Sequence, residues 1–65
     1  MRIRRTKLEL AMARACMSPA DLANKAVLPR PTLNNAIVGR DIRPVTAGRI
    51  AKALGVDVTE ILEDE

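Results

Sequence analysis

No aromatic residue and no histidine occurs in this chain of 65 residues, and Cys16 is its single cysteine. Without Phe, Tyr or Trp, the core has to be built from Leu, Ile, Val, Met and Ala. The same absence removes the stacking platform on which single-stranded nucleic acid is usually held. A zinc site needs about three or four N or S ligands, which this composition does not supply, so no metal site is expected. One cysteine excludes a disulfide framework and fits a reducing cytoplasm. With no histidine to activate it, Cys16 reads as a small packing residue and not as a nucleophile. Catalysis would rest on carboxylates and lysines alone, so an enzyme is the least expected class, and no cofactor is implied. No apolar run approaches the ~20 residues of a membrane span, and no signal-peptide pattern is present.

What is present is a divided charge. Residues 1–56 hold all 11 basic side chains and three acids, Glu9, Asp21 and Asp41, for a net +8. Residues 57–65 hold five acids and no base, which brings the total to +3. A basic body points to a polyanionic partner. The length suits one small domain near the lower limit for a self-sufficient core.

The stretch Ser18–Gly39 organises the chain. Ser18 is a good N-cap, Pro19 suits the first helical position, and Asp21 stands at capping-box spacing. Leu22, Ala23 and Ala26 follow at helical spacing, so a helix is predicted over 19–26. Val27-Leu28-Pro29 breaks it. A second helix is predicted over 31–38, with Arg30 just outside it because a following proline disfavours helical geometry. On this helix Leu33, Ala36 and Ile37 share one face, and Pro31, Asn34, Asn35 and Val38 the other. Gly39 ends it. Two short helices joined in this way form a helix-turn-helix unit.

On either side the signals are local. Residues 1–5 are a basic arm whose default is a frayed end, with added pairing or a reach to phosphate as alternatives. Thr6 and Glu9 have capping-box spacing, which starts a helix near Lys7, with Leu8, Ala11, Met12 and Ala15 as its stripe. Met17 is placed to staple the next helix. After the loop 40–44, a helix is predicted over 45–54 with Thr46, Ile50, Ala53 and Leu54 inward and Gly55 as its stop. Gly48 inside it suggests a close approach by another helix. Asp57 and Glu60 begin a fifth helix with Val58, Ile61 and Leu62 on its apolar side, and 63–65 form a loose acidic tail. The expected core is centred on Leu22, Leu33, Ile50 and Leu54.

Leu22-Ala23, Leu28, Leu33 and Gly39, followed by Pro44 and Ile50-Ala51-Lys52-Ala53-Leu54-Gly55-Val56, resemble the lambda-repressor-like helix-turn-helix domain of phage repressors, Cro-type proteins and Xre-type regulators. The resemblance covers roughly residues 6–62. It implies an all-α, five-helix bundle that binds operator DNA as a two-fold dimer, the second motif helix lying in the major groove. By position, Arg30, Pro31, Asn34 and Asn35 match the base-facing surface. Ser18, Pro19, Thr32, Arg40 and Arg43 match positions that contact the DNA backbone. The chain departs from the pattern where the family often has glycine, at Cys16 and Val27, and where it often has glutamine, at Pro19.

The side-chain chemistry supports the same expectation. Asparagine can bond the N6 and N7 edge of adenine, and arginine the O6 and N7 edge of guanine. The leading expectation is a sequence-specific duplex-DNA regulator acting in the cytoplasm as a homodimer, with residues 1–65 as one domain. The alternative is an antitoxin-type protein that binds a toxin partner through its acidic end and regulates its own promoter.

Overall fold

Four α-helices make up the computed structural model, which describes residues 1–63. They are α1 (Arg5–Ala15), α2 (Pro19–Ala26), α3 (Arg30–Ile37) and α4 (Pro44–Leu54), followed by one 3-10 turn, Val58–Glu60. The expected fifth helix is therefore a single turn. Its capping box forms as read: Asp57 accepts from the Thr59 N–H, and Glu60 accepts from the Asp57 N–H at 3.2 Å. It stops there because Leu62 leaves the turn to form an isolated antiparallel bridge with Ile3. Asp64 and Glu65 of the expected loose tail lie outside the described residues. Glu63 is held, its N–H donating to the Arg2 carbonyl at 2.9 Å.

That bridge corrects the reading of the arm as a frayed end. The Arg4 N–H donates to the Ile61 carbonyl at 2.9 Å, and the Ile42 N–H donates to the Met1 carbonyl at 2.8 Å. The arm thus ties the C-terminal segment to the loop after α3. Its apolar residue is buried, Ile3 being 1% exposed, while Arg2 and Arg4 on either side are exposed. The alternation is that of an extended segment with one face on a core.

Helix α1 starts two residues earlier than its capping signal suggested. Arg4 is the N-cap, without a side-chain cap bond. Glu9 does not close a box with Thr6; it accepts from Arg5 at 3.0 Å, one helical turn away. Helix α3 likewise begins at Arg30, not Pro31, with Pro29 as the extended N-cap. A proline at the second helical position removes an N–H that has no helical acceptor anyway, which accommodates Arg30 in the first turn.

All four helices close in the same six-residue turn. The N–H groups of Met17, Leu28, Arg40 and Val56 reach back to the carbonyls of Met12, Ala23, Asn35 and Ala51. Each turn needs one left-handed residue, and these are Cys16, Val27, Gly39 and Gly55. Cys16 is exposed at this corner and does not pack in the core as expected. Val27 is the costlier exception, a β-branched residue at φ 56°. Its side chain is 76% exposed, so little burial compensates. Val27→Gly is expected to stabilise the fold by about 1 kcal/mol, the left-handed penalty exceeding the extra freedom glycine gains when unfolded. A thermal melt should rise by about 4–8 °C. An unchanged or lower midpoint would refute the strain.

The core follows the expected stripes. Leu8 and Ala11 of α1, Leu22, Ala23 and Ala26 of α2, and Leu33 and Ala36 of α3 are buried. They join Ile50, Ala51, Ala53 and Leu54 of α4, with Ile3 and Ile61 closing the cluster from the two ends of the chain. Met12, Met17, Leu28 and Ile37 pack at its margin. Helix α4 is the central element, meeting α1, α2 and the 3-10 turn. Gly48 does not mark a close approach: a Cβ built there meets nothing within 4 Å. Gly48→Ala is therefore expected to raise stability by up to about 1 kcal/mol through helix propensity alone. Denaturant titration checks this, and a loss of stability would show that the site is crowded. No helix among the described residues is long and apolar enough to cross a membrane.

Candidate nucleic-acid interface

The turn Val27–Pro29 sets α3 against α2. Leu28 is half-buried beneath it, and Leu33 is fully buried one turn into α3. With Leu33 and Ala36 fixed inward, helical periodicity leaves the opposite face in solvent. Arg30, Pro31, Asn34 and Asn35 are all exposed there, as is Val38 at the end of the helix. This face carries two adjacent amides, one cation at its start and no acid.

Beside it runs a groove lined by Leu28, Pro29, Thr32, Asn35, Asp41, Ile42, Arg43 and Thr46. It brings Thr32, Asn35 and Arg43, far apart in sequence, to one place. Among the described residues Asp41 is the only acid on its wall; its ion contacts are the Met1 amino group at 3.4 Å and Arg2 at 3.9 Å, and it leaves Arg43 free. Arg40 is exposed in the same loop. A second groove, lined by Leu28, Arg43, Val45, Thr46 and Arg49, continues along the start of α4. Helix α4 begins with Pro44 behind Arg43, has no side-chain cap and has no acid in its first turn. Its uncapped amino end and Arg49 extend the electropositive surface. Sequence reasoning missed Arg49, which joins Arg43 only through the angle between the loop and α4.

Ser18 and Pro19 stand at the start of α2, as expected, but in a more occupied setting. The Ser18 hydroxyl accepts from the Asp21 N–H at 3.1 Å, and the Asp21 carboxylate accepts from the Ser18 N–H at 3.1 Å. These bonds, the Ser18 backbone N–H first, hold the Asp21 carboxyl below the ordinary carboxylate range. The capping box thus consumes two of the N–H groups that an anion would use. Among the described residues, no partner takes the Ser18 hydroxyl proton or the Ala20 N–H, which lie next to a fixed negative charge. Of the nine residues assigned from the resemblance, the structure gathers six on or beside α3: Arg30, Pro31, Thr32, Asn34, Asn35 and Arg43. Arg40 follows in the loop, and Ser18 and Pro19 lie on a neighbouring helix end.

A family model described as the Cro/C1-type HTH DNA-binding domain matches residues 7–65. Among solved structures, a point mutant of hydroxyethylphosphonate dioxygenase aligns with a TM-score of 0.84 at 30% identity. PhpD with cadmium and hydroethylphosphonate aligns at 0.82 and native PhpD with cadmium atoms at 0.83, each 30% identical. Each alignment covers 98% of this chain and 14% of the other, so the chain spans a small part of those proteins. No curated protein matches.

Proposed function

The chain belongs to the Cro/C1-type helix-turn-helix DNA-binding family, and we propose that it is a sequence-specific regulator of transcription, a repressor that binds an operator as a homodimer. The observation that carries this reading is the solvent face of α3. Asn34 and Asn35 lie exposed on a helix whose own core contacts are complete, framed by Arg30, Arg40 and Arg43. Amides suit the acceptor and donor edges of base pairs, and the surrounding guanidinium groups suit phosphates. In this arrangement α3 enters the major groove, Thr32, Arg40, Arg43 and the start of α2 grip the backbone, and the work is done in the cytoplasm without a cofactor. The chain is then not an enzyme.

Selection of bound duplexes from a random DNA library tests the proposal. A recovered motif with two inverted halves is the expected result. The absence of any enriched sequence would overturn it. A second reading follows from the alignments to hydroxyethylphosphonate dioxygenase: the same helical unit serving as a module of a larger protein without reading DNA. That reading predicts no enriched duplex and salt-insensitive behaviour.

A further inference from the structure

We propose that the cleft between the carboxyl ends of α2 and α4 binds a small organic phosphate, a dianion joined to an apolar group. The cleft is an open hollow of about 540 Å³, lined by Lys25, Ala26 and Val27 at the end of α2 and by Arg49, Lys52 and Ala53 from α4. That size lies within the range of small-ligand clefts. Among the described residues no acid lines it, and none of its three cations forms an ion pair. Lys25 and Lys52 stand in the last turns of their helices, where a cation complements the helix dipole. The carbonyls there are already engaged. The Val27 and Leu28 N–H groups donate to Asn24 and Ala23, and the Gly55 and Val56 N–H groups to Lys52 and Ala51. Arg49 lies outside the last turn of α4, so the dipole does not account for it. Three like charges around one hollow repel one another and gain from a shared anion. A guanidinium fork beside two ammonium groups suits the oxygens of a phosphate.

Val27 is the independent observation. It holds a φ of 56°, which glycine would hold without strain, and it is 76% exposed, so packing does not repay the cost. Strain of this kind collects at ligand clamps. With Ala26 and Ala53, Val27 makes the apolar wall of the hollow. A ligand with an apolar group beside its charge covers that wall, whereas a bare phosphate engages only the cations. The same phosphate chemistry is present in a DNA backbone, and Arg49 also lines the groove that holds Arg43. A duplex backbone offers little apolar surface to Val27, which favours the free ester.

Amide NMR of the whole chain, without DNA and at constant ionic strength, tests the site with phenyl phosphate as the probe. The amides of the six lining residues should shift together and saturate, with a Kd of about 0.2–5 mM. Inorganic phosphate should shift the same residues but bind at least about threefold more weakly. Arg49→Gln and Lys52→Gln, both at exposed positions, should each weaken phenyl phosphate about fivefold or more. Val27→Gly, which relieves the strain and so keeps the fold, should reduce phenyl phosphate to the level of inorganic phosphate. In a separate titration, random duplex should leave Lys25 and Lys52 unshifted. The absence of a saturable shift up to about 20 mM phenyl phosphate would overturn the proposal. So would equal binding of the two phosphates, unaltered by Val27→Gly. A duplex that shifts Lys25 and Lys52 would assign the cleft to DNA and overturn it as well. A duplex that shifts nothing on the α3 face counts against the DNA reading and leaves the phosphate titration to stand on its own.

Discussion

Ile3→Ala is expected to destabilise the domain by about 2–4 kcal/mol, as much as a substitution at the centre of the core. Ile3 sits in a basic arm, yet it is 1% exposed and belongs to the same cluster as Leu8, Leu22 and Ile50. The truncation removes three carbons' worth of buried surface and leaves a space that the arm cannot readily fill. It is pinned on both sides of Ile3, at Arg2 by the Glu63 N–H and at Arg4 by the Ile61 carbonyl. A domain of this size holds roughly 3–10 kcal/mol in total, so the variant should lie near the edge of folding. Arg2→Ala and Arg4→Ala, whose side chains are exposed, should change stability by less than about 0.5 kcal/mol. Denaturant titration of the three variants separates buried anchoring from arm charge. A loss at Ile3 no larger than at its neighbours would mean that the arm lies outside the cooperative unit.

The contrast between Ile3 and Ser18 shows which features a sequence of this kind makes legible. Ser18, Pro19 and Asp21 are neighbours, so their capping box is encoded within four residues, and it forms with both bonds in place. The burial of Leu22, Leu33, Ile50 and Leu54 was readable for a similar reason: helical periodicity assigns a face without knowledge of the partner. Ile3 pairs with Leu62, nearly the whole chain away, and no local signal announces that pairing. The same long-range contact cut the expected fifth helix to one turn, although its cap at Asp57 and Glu60 was read correctly. Local spacing also misled at Thr6 and Glu9, where a competing partner, Arg5, was within reach.

The candidate interface divides along the same line. Asn34 and Asn35 follow from the face of a single helix, whereas Arg30 was assigned by resemblance and enters the helix only in the structure. Arg49 follows from neither, because its place beside Arg43 depends on the direction in which α4 leaves the loop. The start of α2 was chosen by resemblance, and the structure shows the bonds that already engage it. At Val27 the sequence departs from a glycine preference, and the backbone stays left-handed regardless. The surrounding fold, including Leu28 tucked under the turn, imposes that geometry over the local preference of valine.

Asn35→Ala and Arg43→Ala should separate sequence reading from simple attachment. Both residues line the groove between α3 and the following loop, but they differ in what they can recognise. Asn35 is exposed on the helix face opposite the buried Leu33 and Ala36, so its amide is presented to whatever enters from solvent. An amide bonded to a base edge discriminates among base pairs, whereas a guanidinium on a phosphate does not. Asn35→Ala should therefore weaken binding to the selected site by about 1–3 kcal/mol and leave random duplex almost unchanged. Arg43→Ala should weaken both duplexes alike and reduce the slope of log affinity against log salt by about one unit. The fold should tolerate both changes, since each side chain is exposed and neither makes a side-chain bond among the described residues. Binding isotherms on the two duplexes at several salt concentrations give all four quantities. Equal losses on both duplexes for Asn35→Ala would place that residue on the backbone and leave α3 outside the groove. A salt slope unmoved by Arg43→Ala would remove the loop from the contact.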